Sequence, residues 1–99
     1  MNKNSGSKIY TVTGFADISC HRCFGWFMNL KDAQKAVVCN KSDLHEYLYE
    51  YMVIEEVQEG IFCKITQEIW YRWHDRKRKF LKSSRPHYFP SNVVNFGIG

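Results

Sequence analysis

The run YEYMVIEEV over residues 49–57 sets the tightest limit on what this chain can become. It is the most strand-like stretch present, and Met52, Val53 and Ile54 make it apolar on both faces at once. Successive side chains of a β-strand point to opposite faces, so three consecutive apolar residues need cover above and below. Residues 49–57 therefore predict a central strand, covered on one side by a helix. Residues 29–38 supply that helix. Asn29 followed three residues later by Asp32 reads as an N-cap with a weak capping box, and Leu30, Ala33, Ala36 and Val37 recur at helical spacing behind it. NKSD at residues 40–43 breaks the pattern, and residues 43–48 are expected to form a further turn.

The remaining strands follow from period-two alternation. IYTVTGF at residues 9–15 predicts a first strand that stops at Asp17, and Phe24, Trp26 and Met28 predict one face of a second. DISCHRC, residues 17–23, then reads as the connecting hairpin loop. After a turn at Glu59-Gly60, residues 61–65 read as a short strand or ordered loop that leads into a second hairpin. In that hairpin Ile69, Tyr71 and Trp73 point to the core, while Trp70, Arg72 and His74 point to the other face. Its turn falls at residues 75–77, and its return strand carries Phe80 and Leu81 between Lys79 and Lys82. SSRPHYFPS at residues 83–91 is a Pro-punctuated loop before a last alternating strand with Val94, Phe96 and Ile98. The order implies an α+β fold: a mainly antiparallel sheet of about five or six strands with one principal helix packed on one face.

A chain of 99 residues makes one domain and buries roughly 65% of its unfolded surface, enough for one core. We expect a frayed tail over residues 1–7 and the domain over residues 8–99. No window approaches the ~18 apolar residues of a membrane span. MNKNSGSK has no apolar stretch behind its lysine, so it does not read as a leader, and a cytoplasmic location in a bacterial host cell is expected. In that reducing compartment Cys20, Cys23, Cys39 and Cys63 are expected as free thiols.

Catalytic and metal-binding patterns are incomplete. Cys20-His21-Arg22-Cys23 has the spacing of half a zinc site, but tetrahedral zinc needs four ligands. Cys39 and Cys63 have apolar neighbours and read as small core residues. Cys20 and Cys23 thus remain weak metal candidates, and no cofactor is expected. His45-Glu46 opens a metalloprotease pattern whose second histidine is replaced by Tyr49. The residue before Cys20 is Ser19 rather than the proline of zinc deaminases, and no GxxxxGK[ST] phosphate loop occurs. Glu55, Glu56 and Glu59 read as a solvated strand edge. These gaps point to a protein that is not an enzyme.

Charge is the feature that points to a partner. Residues 69–90 hold seven Lys or Arg and one acid, Asp75, whereas the other 77 residues hold seven Lys or Arg and nine acids. A segment at +6 on a background of −2 is a concentrated patch, and it carries six of the sixteen aromatic residues. Trp70, Arg72, His74, Arg76, Lys77, Arg78 and Lys79 form the candidate binding surface, since cations meet phosphate or carboxylate groups and exposed rings stack on bases or apolar surface. A solvated, edge-blunting role is the plain alternative for residues 76–79. Trp70 is either covered by the loop at residues 83–90 or kept for a partner.

With GWF, a helix containing DAQKAV, then YMVIEEVQEG, WYRW and a terminal NFGIG, the chain resembles short uncharacterised phage and mobile-element proteins of bacteria. The resemblance covers most of residues 9–99 and carries over no catalytic residues. It implies a small accessory protein that acts by stoichiometric binding, such as an inhibitor of a bacterial immune effector of the CRISPR kind. The expected partner is a host defence protein or its nucleic-acid complex. A nucleic-acid-binding module, or a binder of an anionic nucleotide signal, is the alternative on the same residues.

Overall fold

The computed structural model describes residues 7–17, 19–46, 48–60, 64–87 and 89. The chain runs β1 (Lys8–Asp17), β2 (Cys20–Phe27), α1 (Leu30–Val38), a 3-10 turn (Lys41–Asp43), β3 (Tyr51–Gln58), β4 (Lys64–His74) and β5 (Lys79–Ser83). The five strands form one antiparallel sheet in the order β2-β1-β3-β4-β5, with α1 packed on one face. This is an α+β fold, and the run at residues 49–57 supplies most of its central strand, β3, which starts at Tyr51. The expected last strand with Val94, Phe96 and Ile98 and the tail at residues 1–6 lie outside the described residues.

Helix α1 starts where its cap begins. The Asn29 side chain accepts from the Lys31 backbone N–H at 2.8 Å, which satisfies one of the otherwise unpaired first-turn donors. Ala33, Ala36 and Val37 are buried, and Ala33 and Val37 join Val12, Met52, Ile54, Tyr71, Trp73 and Phe80 in the main core. Among the described residues no helix is long and apolar enough to cross a membrane.

The β1–β2 connection is tighter than DISCHRC suggests. Asp17 pairs directly with Cys20, and Asp17 Oδ1 accepts from the Ser19 N–H and hydroxyl and from the Cys20 N–H at 2.8–2.9 Å. A side-chain acceptor that gathers three donors closes the turn within two residues and puts Cys20 to Cys23 in the strand. The pairing of β2 also departs from simple alternation. Val12 faces Gly25 and Thr13 faces Cys23, so Phe24 is the extra residue of a β-bulge. The bulge turns both Phe24 and Phe27 onto the core, whereas Trp26 and Met28 are 58% and 67% exposed. The expected common face of Phe24, Trp26 and Met28 is therefore broken. Gly14 lies opposite this seam, where a Cβ would stand 2.8 Å from Met52 Cε and from Phe24 Cε2.

The face away from α1 has its own cluster of Phe15, Val53, Trp70 and Phe89. Phe89 is brought there by a turn in which the Phe89 N–H donates to the Pro86 carbonyl at 2.9 Å and the Arg85 side chain donates to the Phe89 carbonyl. Its ring meets Phe15, Tyr51 and Trp70 at centroid distances of 5.0, 5.1 and 5.8 Å.

Candidate functional site

Alternation along β4 sorts the basic segment as expected for its core half. Tyr71 and Trp73 are buried and Ile69 packs against them, all on the α1 side. Trp73 is the anchor. His45 lies flat on it at 3.8 Å and 6°, Phe80 meets it edge-on at 5.1 Å, its Nε1–H donates to Asp75 Oδ1 at 3.0 Å, and its backbone N–H donates to the Glu50 carbonyl at 2.8 Å. The ring lies one residue before the strand end, so these contacts fix the base of the β4–β5 turn.

On the outer half, the structure removes one residue from the candidate surface. Trp70 does face away from α1, but it is only 4% exposed: Phe15 and Phe89 cover it and its Nε1–H donates to Glu68 at 3.1 Å. Of the two alternatives for this indole, the loop has taken it. Arg72 is exposed and engaged, with Nε and Nη2 on Glu50 Oε2 at 3.1 and 2.9 Å and its guanidinium 5.5 Å from the Tyr51 ring centre. At 59% and 48% side-chain exposure this pair is screened by water and holds geometry more than stability. His74 is half-buried, and its Nδ1 accepts from the Lys77 N–H at 3.2 Å.

Arg76, Lys77, Arg78 and Lys79 are all exposed, on or beside the turn at residues 75–78. Arg78 closes that turn with its N–H on the His74 carbonyl at 2.8 Å, adopts φ +55°, and sets its guanidinium 5.6 Å from the Trp73 ring centre. It is thus part turn-former and part cation. An open cleft of about 620 Å³ adjoins the turn, lined by His45, Leu48, Glu50, Arg72, Trp73, His74, Asp75 and Arg76. His45, which the sequence offers only as half of an incomplete metalloprotease pattern, is the member absent from the sequence-derived surface. Its imidazole is held below its usual pKa, first because burial against the rings disfavours the charged form and second because Arg78 repels it; Asp43, Asp75 and Glu50 pull the other way.

Other sequence candidates are separated by the fold. Cys20 and Cys23 are exposed free thiols, and they occupy opposite faces of β2 because Cys23 pairs with Thr13 on the face shared by His21 while Cys20 precedes His21 by one residue. Cys39 is also exposed, at the C-cap of α1, rather than a core residue, because it lies past the buried row of Ala33, Ala36 and Val37. Cys63 lies outside the described residues. Among the described residues no group of three or more His, Cys, Asp or Glu side chains is gathered for a metal ion.

The carboxylates at residues 55–59 are not a common solvated edge. Glu59 is exposed, but Glu56 accepts from Tyr10 and Thr66 hydroxyls and pairs with Lys8 Nζ at 3.3 Å. Those contacts, led by the Thr66 hydrogen bond, hold its carboxyl below the usual range. Glu55 is fully buried beside Thr11 and Thr13 on the face away from α1. Its position two residues from Val53 and two from Val57 is the signal that would have found it. Compared with family models, curated proteins and solved structures, the chain matches none.

Proposed function

We propose that this protein is a small stoichiometric binding protein, a phage-type inhibitor of a bacterial anti-phage effector such as a CRISPR complex, acting from the cytoplasm of the host cell without a cofactor. Its contact surface on this reading is the basic β4–β5 end: Arg72, His74 and the turn cations Arg76, Lys77, Arg78 and Lys79. The observation that carries the reading is the pairing of consecutive exposed cations with a rigid base. Residues 76–79 project from a turn whose root, Trp73, is fixed by two rings and two hydrogen bonds. Cations held on a stiff support lose little freedom when they meet an acidic surface, and they also speed encounter with it. The expected partner is an acidic patch on a defence protein or the phosphate backbone that such a protein carries.

The test is a joint Arg76→Glu and Lys77→Glu substitution, both on exposed side chains away from the Trp73 contacts. Capture of the partner from bacterial lysate, run with and without nuclease treatment, should fall at least about tenfold in whichever lysate the unaltered protein captures it, while the melting temperature stays put. Undiminished capture by the variant sinks the proposal. The cleft of about 620 Å³ beside Arg72 and Arg76 supports one alternative, a pocket for an anionic nucleotide. That reading requires the melting temperature to rise with nucleotide concentration. A plain nucleic-acid module would instead bind naked DNA or RNA with an affinity that falls steeply with salt.

A further inference from the structure

The two edges of the sheet differ in kind. β5 is five residues long and carries Lys79 and Lys82, the short charged strand that resists pairing with another chain. β2 is eight residues long, holds neither lysine nor proline, and bears one formal charge, Arg22. Among the described residues β2 pairs with β1 alone, which leaves a row of outward N–H and C=O groups along its free side. Its bulge at Phe24 interrupts that row once and leaves a run on either side.

Next to this edge, on the α1 side, lies a cavity of about 480 Å³ floored by Val12, Phe24, Phe27, Ala36 and Leu44. A second hollow that shares Phe27, Ala36 and Lys41 extends it along the helix. The exposed side chains of Arg22 and Lys41 border the cavity, and Glu46, 4.0 Å from Arg22, balances only one of them. The segment that supplies the far wall, through Lys41, Ser42, Leu44 and Glu46, is unusual. Asn40, Ser42, Asp43 and Glu46 all adopt φ between +48° and +56°, and Asn40 locks the segment by accepting from the His45 N–H at 2.9 Å. Non-glycine residues persist in that region only where the surrounding structure enforces it, and such segments concentrate at binding sites.

We infer that this groove docks an extended segment of a partner protein, which adds as a further strand along the side of β2 left open among the described residues, sets alternate apolar side chains into the cavity and brings an Asp or Glu to Arg22 and Lys41. An open strand edge selects an extended backbone, the adjoining cavity selects apolar side chains at every second position, and the bordering cations select a carboxylate. A second copy of the chain fits less well, because pairing β2 with itself brings a further Arg22 toward the cations already there. This surface is separate from the basic β4–β5 end, so the two proposals stand or fall apart.

Random linear twelve-residue peptides displayed on phage test it when selected against the full chain. An enriched peptide is then labelled for fluorescence anisotropy, and amide hydrogen exchange of β2 and β5 is compared with and without it. The expected peptides alternate apolar residues around an acid, and they slow exchange in Cys20–Phe27 and not in Lys79–Ser83. Their affinity should fall at least about tenfold with joint Arg22→Glu and Lys41→Glu, and again with Leu44→Asp, while Arg76→Glu with Lys77→Glu leaves it unchanged. The first pair lies on exposed side chains, so it keeps the test decisive if Leu44→Asp fails to fold. Absence of enrichment, peptides indifferent to the Arg22 and Lys41 reversals, or protection of β5 instead overturns the inference. Protection of β2 that rises with the chain's own concentration assigns the edge to a second copy and overturns it as well.

Discussion

The β4–β5 hairpin keeps its tryptophan nearest the turn, Trp73, inside at 9% exposure and its cations outside; the β1–β2 hairpin leaves Trp26 outside at 58% and has Arg22 as the one charge on its second strand. The two strand pairs flank the same central strand on opposite sides, so the difference is not forced by their place in the sheet. A turn rich in like charges repels itself and gains from a ring anchored at its root. A strand edge with almost no charge has nothing to repel, and its apolar surface is available for contact. On the two proposals, one hairpin presents charge and the other offers a receptive edge.

The largest expected effect tests the anchoring half of that contrast with one residue type. Trp73→Ala removes the ring on which His45, Phe80 and Arg78 rest and should cost about 3–5 kcal/mol in urea unfolding, the usual range for emptying a large aromatic site. Trp26→Ala removes a mostly wet side chain and should stay within about 0.5 kcal/mol. Equal losses at the two positions would break the comparison. Next in size is Gly14→Ala, which probes the seam that the bulge of β2 closes. Its new methyl would press on Met52 Cε, which can swing away, and on the Phe24 ring, which is braced at 5.0 Å by Tyr49. The expected loss is about 1–2 kcal/mol.

The ease with which the two hairpins were read from sequence also differs, for a physical reason. Strict alternation from Ile69 to His74 translated directly into one buried row and one outer row, and the doubly apolar Met52, Val53 and Ile54 gave the sheet centre. The capped helix at Asn29 was equally plain. The β1–β2 hairpin departs from its sequence pattern at two points because its geometry depends on side-chain events that a period does not encode. Asp17 gathers three donors and shortens the turn, and one bulged residue, Phe24, reverses the faces that follow it. Trp70 shows the limit of alternation itself. Its direction was right, yet its exposure depended on Phe89, nineteen positions away and brought back by an Arg85 contact. His45 joined the cleft for the same reason, through a stack on a residue distant in sequence.

Acid should separate the hairpins in turn. His45 is held below its usual value near 6.5, so its neutral form is favoured by folding. As pH falls, the unfolded imidazole takes up a proton first; the stability from the neutral ring is complete above about pH 6.5 and declines below it. Asp17 is held below its usual 3.8, first by the Ser19 hydroxyl and then by backbone N–H groups, so its contribution persists until the pH falls through the carboxylate range. Hydrogen exchange followed from neutral to acid pH should therefore show the β4–β5 end loosening before the β1–β2 turn. His45→Gln should flatten the first step and Asp17→Asn the second. Simultaneous loosening would show that the His45 stack does not govern the basic end.

The smallest effect bears on how far Arg78 belongs to the turn rather than to the presented charge. At φ +55° a non-glycine residue carries about 1–2 kcal/mol of backbone strain that glycine does not. Arg78→Gly relieves that strain, but it forfeits a cation–π contact of about 0.5–1 kcal/mol and adds about 0.4–1 kcal/mol of unfolded-chain entropy. These terms nearly cancel, so urea unfolding should move by less than about 1 kcal/mol. Arg78→Ala loses the ring contact and keeps the strain, and it should be the less stable of the two. Both remove the same charge. If both weaken partner capture equally while differing in stability, the cation acts on the partner and the backbone acts on the turn; if capture follows stability instead, Arg78 serves the β4–β5 end as structure alone.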